Sequence, residues 1–253
     1  MPGIVGRLAC GALLLSALGG CTATLGPRPE APPAASFFPL TANSRWEYVV
    51  SRRAGGERFE FVATVQQQDF IAEDGQACRV VDERYTDVTG GTRFPVLYCA
   101  KGGFLHRVMS LEYRGESLED NGLRSGELKF LPTDPAATAT WEGWTNAYRL
   151  PDGSGFEVRQ SHARVFESAT ISVPAGAFKN CMRVDTTAMH ASTGPDGRPV
   201  GSGVVFYYAD WYAPGVGLVK TEQRDASAAV LATIELVRFE IGPETRPSGA
   251  EVQ

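Results

Sequence analysis

The stretch VVFYYADWYAPGVGLVK, residues Val204–Lys220, carries the pattern on which the fold prediction rests. Its first part is rich in β-branched and aromatic residues with polar residues interleaved, which is typical of a β-strand. Pro214 fixes its own φ, and Gly215 and Gly217 permit positive φ, so we expect the chain to reverse there. Strand pairing is expected to resume at Leu218. The stretch therefore predicts a β-hairpin.

The same alternation with a period of two dominates the chain from Arg45 onward. It is seen in the segments RFEFVATVQ, CRVVDERYTDV and FEVRQSHARVFES. Glycine-containing turns separate these segments, VPAGAF (Val173–Phe178) predicts another tight reversal, and no helical stripe exceeds about three turns. We predict a mainly β protein, built as a curved antiparallel sheet or open barrel-like meander with one face in contact with water.

Two regions of the chain resemble each other. The pattern C-x-x-V-D occurs at Cys78 and again at Cys181, and the pattern of Tyr98–Arg107 returns in Trp211–Lys220. Each of the latter stretches reads as an aromatic residue, an alanine, a glycine turn, two apolar residues and a base. The upstream tryptophans are Trp46 in the first region and Trp141 and Trp144 in the second. This predicts two similar units, about 40–125 and 126–241, with chance similarity between hairpins as the alternative.

Three cysteines lie within the predicted β domain: Cys78, Cys99 and Cys181. An odd number allows at most one internal disulfide. Cys78 and Cys99 flank the turn at 88–92 almost symmetrically, so we predict a disulfide between them and a buried thiol at Cys181. A bridge between Cys78 and Cys181 is the alternative.

The N-terminus reads as an export signal. Arg7 precedes the short apolar segment Leu8–Gly20, and Leu18-Gly19-Gly20-Cys21 resembles the bacterial lipobox. That resemblance implies removal of residues 1–20 and acylation of Cys21, whereas an ordinary secretory signal is the alternative. Two or more acyl chains would anchor the protein stably in a membrane. Thr22 after the cysteine, by resemblance to enteric sorting rules, implies the outer membrane.

The segments beside the β domain, which is predicted to span 38–241, are rich in proline or polar residues. Residues 21–37 are expected to form the lipidated cysteine and a semi-rigid tether. Roughly 15 residues at about 3.1 Å each would hold the domain about 45 Å from the bilayer. The tail at 242–253 is expected to be flexible.

Composition and motifs favour a role without catalysis, metal or cofactor. The formal net charge of −5 argues against nucleic acid as a partner, because binding needs clustered Lys and Arg. His106, His162 and His190 lack metal-binding spacing, and His106 is expected to face outward from a strand. No nucleophile elbow, P-loop or dinucleotide fingerprint occurs in the sequence.

Three aspartates are candidate site residues. Asp82 and Asp185 occupy equivalent places in the C-x-x-V-D pattern and could form an acid/base pair if the units face each other. Solvated strand positions or hydrogen bonds in turns are the favoured interpretation. Asp210 lies among aromatic residues and could line a pocket, but the polar face of a strand is favoured there too.

The aromatic residues of the chain are too numerous for one face of a thin sheet to bury. A hydrophobic core is the favoured explanation, and an apolar groove that holds an acyl chain or a partner segment is the alternative. The residues of this candidate groove are Trp46, Tyr48, Trp141, Trp144, Phe206, Tyr208 and Trp211.

Three motifs carry a family resemblance. PLTANSRWEY (Pro39–Tyr48), VPAGAFKNCMRV (Val173–Val184) and WYAPGVGLVK (Trp211–Lys220) together resemble the TapB-like family of bacterial exported lipoproteins, whose function is unknown. Asn43 or Ser44 stands where that family usually has glycine. The resemblance implies a curved antiparallel sheet akin to the LolA/LolB-like lipoprotein carriers. We therefore expect a lipid-anchored envelope protein that faces the periplasm.

Two roles are expected for such a protein. The first is a non-enzymatic binding or assembly module, anchored in the outer membrane and associated with an envelope complex. The alternative is a carrier that binds a lipid or another hydrophobic ligand in an apolar cavity.

Overall fold

The alternating segments form β-strands, as their side-chain pattern predicts. The computed structural model describes residues 37–71, 75–86, 93–108, 111–114, 117–120, 124–125, 128–149, 153–166 and 170–243. The strands are β1 (Arg45–Arg52), β2 (Arg58–Ile71), β3 (Ala77–Tyr85), β4 (Arg93–Lys101), β5 (Phe104–Val108), β6 (Leu111–Arg114), β7 (Ser117–Asp120), β8 (Arg124–Ser125), β9 (Leu128–Pro132), β10 (Thr140–Arg149), β11 (Gly155–Phe166), β12 (Ile171–Val173), β13 (Gly176–Phe178), β14 (Met182–Thr193), β15 (Pro199–Ala213), β16 (Gly217–Arg224) and β17 (Val230–Glu240).

Helical structure is limited to one short turn in the part of the chain that the structure describes. This is a 3-10 turn at Ala54–Gly56, where Gly55 has a φ of 88°. Within the same residues there is no helix whose length and apolarity would let it cross a bilayer.

Thirteen strands form a single sheet in the order β8-β10-β11-β14-β15-β16-β17-β1-β2-β3-β4-β5-β9. Neighbouring strands are antiparallel. Two small hairpins, β6–β7 and β12–β13, lie outside this order. The prediction of a mainly β, antiparallel meander is confirmed.

The sheet curls until its two ends approach each other. Strand β9 is the last strand in the order and β10 is next to the first, yet the Trp141 Nε1 of β10 donates a hydrogen bond to the Lys129 carbonyl of β9 at 2.9 Å. Leu131 of β9 and Trp141 belong to the same buried cluster. The sheet is therefore an open barrel that is nearly closed.

The sheet consists of two successive runs of strands that meet at the pairing of β17 with β1. The first run is β1–β5 with β9, and the second is β10 and β11 with β14–β17, to which the two-residue strand β8 is added beside β10. Trp46 and Trp141 lie in the first strand of their runs, and Tyr98 and Trp211 lie in the fourth. Cys78 is the second residue of the third strand of its run, and Cys181 directly precedes the third strand of the other. This arrangement fits two similar units, and the duplication itself stays a prediction.

The two sequence motifs for tight reversal both form hairpins. VPAGAF forms β12 and β13, in which Val173 pairs with Gly176. In the Val204–Lys220 stretch, β15 and β16 pair from Ala213 and Gly217 onward, one residue earlier than predicted. Gly215 and Gly217 have φ values of 71° and 103°, the left-handed region that glycine tolerates.

The structure contains a disulfide between Cys78 on β3 and Cys99 on β4. The Cα atoms of the two residues are 4.5 Å apart, since Arg79 and Tyr98 beside them are paired across the two strands. Cys181 is buried outside this bridge, and its thiol lies 3.6 Å from the Phe178 carbonyl. A bridge between Cys78 and Cys181 is thereby excluded.

Both predicted boundaries of the β domain need correction. Phe37, assigned to the tether, has no exposed surface and packs with Leu131 and Trp141. Gly242, assigned to the flexible tail, is buried and donates its N–H to Ser44 Oγ at 3.0 Å. Short-range composition could not reveal either contact. The predicted signal at 1–20, Cys21, the rest of the tether and 244–253 lie outside the described residues.

The chain is packed tightly where β17 ends beside the start of β1. Ser44 is fully buried, and its carbonyl accepts a hydrogen bond from the N–H of Val65 at 2.9 Å. A Cβ atom added to Gly242 would lie 1.9 Å from the Ala42 carbonyl oxygen. Glycine is therefore required at position 242 by the close approach of two backbones.

We expect Gly242→Ala to lower the free energy of unfolding by about 2 kcal/mol or more, because the backbone must move to admit the methyl group. Urea unfolding followed by circular dichroism measures this. Gly194→Ala is the matched control, since its new Cβ would meet mainly the end of the Asp196 side chain at 3.1 Å. A Gly242→Ala variant as stable as the control would contradict the close contact.

Candidate functional site

The curl of the sheet encloses a cavity of about 210 Å³. Its walls come from strands of both runs and from the segment before β1. The lining residues are Phe38, Leu40, Trp46, Tyr48, Phe61, Ala63, Val81, Glu83, Tyr85, Tyr98, Arg107, Phe130, Asp210, Tyr212, Gly217, Leu218 and Ile234. Several of them, including Tyr85 and Phe130, are partly exposed. The cavity is partly open to solvent.

Aromatic rings make up much of the cavity wall. The rings of Tyr48 and Phe61 stack with centroids 5.2 Å apart, and those of Phe61 and Tyr85 stack at 4.8 Å. These three residues lie on β1, β2 and β3, where cross-strand neighbours bring their side chains to one face. On the opposite part of the wall, the ring of Phe38 lies 5.0 Å from that of Phe130. The rings support one another and give the cavity a stiff apolar lining.

Two aromatic side chains of β1 join the first run of strands to the hairpin of the second. Trp46 Nε1 donates a hydrogen bond to the Val216 carbonyl at 2.6 Å, and Tyr48 Oη donates one to the Leu218 carbonyl at 3.0 Å. Both carbonyls belong to the β15–β16 turn and the strand that follows it. The polar atoms of these buried rings are thus satisfied, and the turn is fixed against the cavity.

One ion pair lies inside the aromatic lining. Arg107 Nη2 of β5 is 2.9 Å from Glu83 Oε1 of β3, and the Arg107 Nε donates a hydrogen bond to Tyr98 Oη at 3.1 Å. The Glu83 side chain is 7% exposed and that of Arg107 is 22% exposed. Burial by itself would lower the pKa of Arg107, because it disfavours the charged guanidinium. The neighbouring groups, chiefly the Glu83 carboxylate, together outweigh this effect, so the pKa of Arg107 is raised. Burial raises the pKa of Tyr98 to about 12.

Asp210 is the second carboxylate in the cavity wall. Its Oδ1 accepts a hydrogen bond from Thr221 Oγ1 at 2.6 Å, across the β15–β16 pair. Burial raises the pKa of Asp210 to about 6, and the hydrogen bond from Thr221 opposes that rise. The favoured prediction of an exposed polar strand face is wrong for Asp210. The curvature of the sheet turns this face toward the cavity.

The other two candidate aspartates are each held by an arginine. Asp82 is buried and forms an ion pair with Arg93 and a hydrogen bond with Gln66, so the expectation of a solvated position is wrong for it. Asp185 is partly exposed and lies 2.9 Å from Arg183 Nε. In these pairings both carboxylates serve to balance neighbouring guanidinium groups.

The histidines are packed against aromatic residues. His106 is 5% exposed and its Nε2 lies 3.0 Å from the Lys101 carbonyl, so the prediction of an outward-facing residue is wrong. His162 stacks on Trp141 with ring centroids 5.1 Å apart, and burial lowers the pKa of His162 to about 4. Within the described ranges, no cluster of three His, Cys, Asp or Glu residues is arranged to hold a metal ion.

The structure separates the residues of the predicted groove. Trp46 and Tyr48 line the cavity. Trp141 is buried in a second cluster beside Phe37, and Trp211 is buried below the Lys220 ammonium group. Phe206 lies edge-on to His190 at 5.1 Å between centroids, and Tyr208 Oη accepts a hydrogen bond from Gln223. The side chain of Trp144 is outside the described part of the chain.

Most of the cavity wall was not singled out by the sequence interpretation. Val81, Glu83 and Tyr85 follow one another at a spacing of two residues on β3, so the alternation places them on one face. All three residues line the cavity, although Val80 and Asp82 on the other face of β3 are buried as well. A glutamate on the inner face was a signal of a partner cation, but the sequence alone gives no means to identify Arg107, 24 residues away.

The comparisons with known proteins concern the fold. A family model described as DUF3108-like matches residues 152–236, which include the VPAGAF and WYAPGVGLVK motifs. No curated protein matches the chain significantly. A crystal structure of a candidate lipoprotein from Parabacteroides distasonis superposes with a TM-score of 0.51 and 18% identity, covering 81% of this chain and 98% of that chain.

A second crystal structure is that of a candidate exported protein with a YmcC-like fold from Bacteroides fragilis. It has a TM-score of 0.48 and 16% identity, with the same coverage of 81% and 98%. At these identities the likeness of the Parabacteroides protein shows a shared fold alone.

The raised pKa of Asp210 predicts a specific pH dependence of stability. Its pKa rises from 3.8 in an unfolded chain to about 6 in the folded one, so its contribution to stability is complete below pH 4 and is lost as the pH rises through 6. Relative to the native chain, Asp210→Asn should therefore gain about 1–3 kcal/mol in the free energy of unfolding between pH 4 and pH 8.

Urea unfolding at a series of pH values measures this difference. The asparagine keeps an oxygen that accepts the hydrogen bond from Thr221. Asp196→Asn, in the exposed turn between β14 and β15, is the control and should show no such gain. A difference between Asp210→Asn and the native chain that stays constant with pH would rule out the raised pKa.

Proposed function

We propose that this protein is a non-enzymatic envelope lipoprotein whose β domain binds a small hydrophobic ligand in the cavity enclosed by its sheet. The observation that carries the proposal is the cavity itself, which is lined by aromatic side chains and open to solvent. We place ligand binding ahead of an assembly role in an envelope complex, because the cavity is a formed feature of the fold.

The size and lining of the cavity define the kind of ligand. Ligand sites are typically concave and mostly apolar, with a few convergent polar groups that fix orientation. A dry cavity of about 150 Å³ admits a benzene-sized molecule, so 210 Å³ suits a small apolar body or one part of a longer chain. Asp210 and the Arg107–Glu83 pair supply the polar groups.

The cavity is supported by interactions that do not depend on a ligand. The stacked rings of Tyr48, Phe61 and Tyr85 hold one another, and the hydrogen bonds of Trp46 and Tyr48 fix the β15–β16 turn. A preformed site loses little conformational entropy on binding, which favours affinity for a small molecule.

The lipid anchor is the second part of the proposal. The lipobox-like sequence that ends at Cys21 supports acylation, and the shared fold with a candidate lipoprotein is consistent with it. With Thr22 after the cysteine, we propose that the anchor lies in the outer membrane and that the domain faces the periplasm. The proline-rich segment would then act as the spacer between bilayer and sheet.

The ligand proposal is tested by filling the cavity. Ala63 is buried in its wall, so Ala63→Phe should occupy the space and weaken binding of the neutral probe N-phenyl-1-naphthylamine by about tenfold or more. Fluorescence titration of the full chain measures the affinity. Native mass spectrometry of the native chain should also show a co-purified small molecule.

The matched control is Ala177→Phe on β13, where the alanine is exposed and outside the cavity wall. This variant should bind the probe as the native chain does. Circular dichroism establishes that both variants are folded, because overpacking a core can cost about 1–3 kcal/mol. A folded Ala63→Phe chain with native affinity for the probe would show that the cavity is not the binding site.

The anchor proposal is tested by Cys21→Ser. Without the thiol no thioether can form, so we expect the variant to lose incorporation of labelled palmitate and to leave the outer-membrane fraction after cell fractionation. The Cys181→Ser variant is the control and should stay with the membranes. A Cys21→Ser chain that is processed and fractionates like the native chain would overturn the anchor.

A further inference from the structure

The charges in the cavity wall point to the class of ligand. We infer that the cavity takes an organic cation with an apolar body, rather than an anionic amphiphile such as a fatty acid. This inference deepens the proposed ligand-binding function and rests on it.

The first argument is the balance of charge around the cavity. Two carboxylates, Glu83 and Asp210, and one guanidinium, Arg107, line it. Arg107 is already engaged by Glu83 at 2.9 Å and by Tyr98 at 3.1 Å. This pair is close to neutral as a unit, so the ionised Asp210 carboxylate leaves a negative charge in the wall.

The second argument is the way in which Asp210 is held. Its Oδ1 accepts a hydrogen bond from Thr221, a neutral donor, at 2.6 Å. Among the ion pairs between described residues, none involves Asp210, whereas Asp82 and Asp185 on β3 and β14 are each paired with an arginine. A carboxylate in an apolar wall is stabilised strongly by a cation that reaches it, because the surroundings screen the attraction poorly.

An anionic ligand would be repelled by the carboxylates in the cavity wall. To reach Arg107 its head group would have to lie beside Glu83 and within the same cavity as Asp210. Like charges brought together in a poorly screened site repel, and the buried Glu83 would lose part of its own pairing. The charge pattern therefore disfavours a carboxylate or phosphate head group.

The aromatic wall suits a cation as well as an apolar chain. Aromatic rings attract a cation over their faces, and quaternary ammonium groups are often bound in aromatic cages. The cavity has rings on several sides, from Tyr48 and Phe61 on one part of the wall to Phe130 and Tyr212 on another. An ammonium group near Asp210 would thus leave its apolar substituents against aromatic rings.

Three probes that share a benzyl body separate the charge of the ligand from its shape. These are benzyltrimethylammonium, benzyl alcohol and phenylacetate, titrated by calorimetry into the full chain in nonionic detergent micelles at pH 8, with micelles alone as the blank. We expect the cation to bind about fivefold or more tightly than the alcohol, and the anion to bind more weakly than both.

Asp210→Asn tests the residue that the inference names. The variant should lose the fivefold preference for the cation while its affinity for benzyl alcohol stays within about twofold of the native value. Asp196→Asn, an exposed aspartate in the β14–β15 turn, is the matched control and should keep the preference. If Asp210→Asn does not fold, the order of the three probes on the native chain still decides the matter.

The outcomes distinguish this inference from the function on which it rests. Equal affinity for the cation and the alcohol, or tighter binding of phenylacetate, overturns the inference and leaves hydrophobic ligand binding intact. Binding of none of the three probes, together with native probe affinity in Ala63→Phe, overturns both. Loss of the preference in Asp210→Asn but not in Asp196→Asn supports a cation site at this carboxylate.

Discussion

The pairing of the last strand with the first is the interaction on which the rest of the structure depends. The β17–β1 ladder joins two runs of antiparallel strands into one sheet, and only then does the sheet have enough strands to curl around an interior. The hydrogen bond from Gly242 to the buried Ser44 and the contacts of Trp46 and Tyr48 with the β15–β16 turn lie beside this ladder. Because twisted sheets of this size curl, one face becomes an interior that side chains must fill.

Aromatic residues fill most of that interior and gain stability from burial. The charged groups within it lose solvation when they are buried. Burying Arg107 and Glu83 costs solvation, and their mutual ion pair with the hydrogen bond to Tyr98 offsets part of that cost. A pair of apolar residues of similar volume would serve stability as well or better. Burial raises the pKa of Asp210 to about 6, and its direct partner is the neutral hydroxyl of Thr221 rather than a cation. Groups that are retained at a cost to stability are candidates for function.

The sequence predicted the strands, hairpins and disulfide, which depend on residues that are close together along the chain. It did not predict which side chains face the interior, because that depends on how the sheet curls. Alternation located the strands, the PGVG and VPAGAF motifs located two hairpins, and the spacing around one turn located the Cys78–Cys99 disulfide. Alternation could not tell which face of β15 would point inward, since Tyr207 and Trp211 on one face and Phe206 and Tyr208 on the other are all aromatic. The pattern therefore favours the polar face of a strand for Asp210, whereas the structure places it in the cavity wall. The sequence pattern places Phe37 in the semi-rigid tether and Gly242 in the flexible tail, because the contacts that bury them come from distant parts of the chain.

The entry of the chain into the sheet ties the cavity to the segment that carries the proposed anchor. Phe37 is fully buried against Leu131 and Trp141, while Phe38 lines the cavity with its ring 4.9 Å from that of Tyr98. Phe37 and Phe38 lie in a turn before β1, and Phe38 packs against both buried clusters. Phe37 thus fastens the chain, while Phe38 also lines the ligand space. A ligand too long for 210 Å³ would have to displace Phe38 and its ring contacts, whereas Phe37 would keep the segment in place. Phe38 thus contributes to the cavity wall from the segment just before β1 rather than from the sheet.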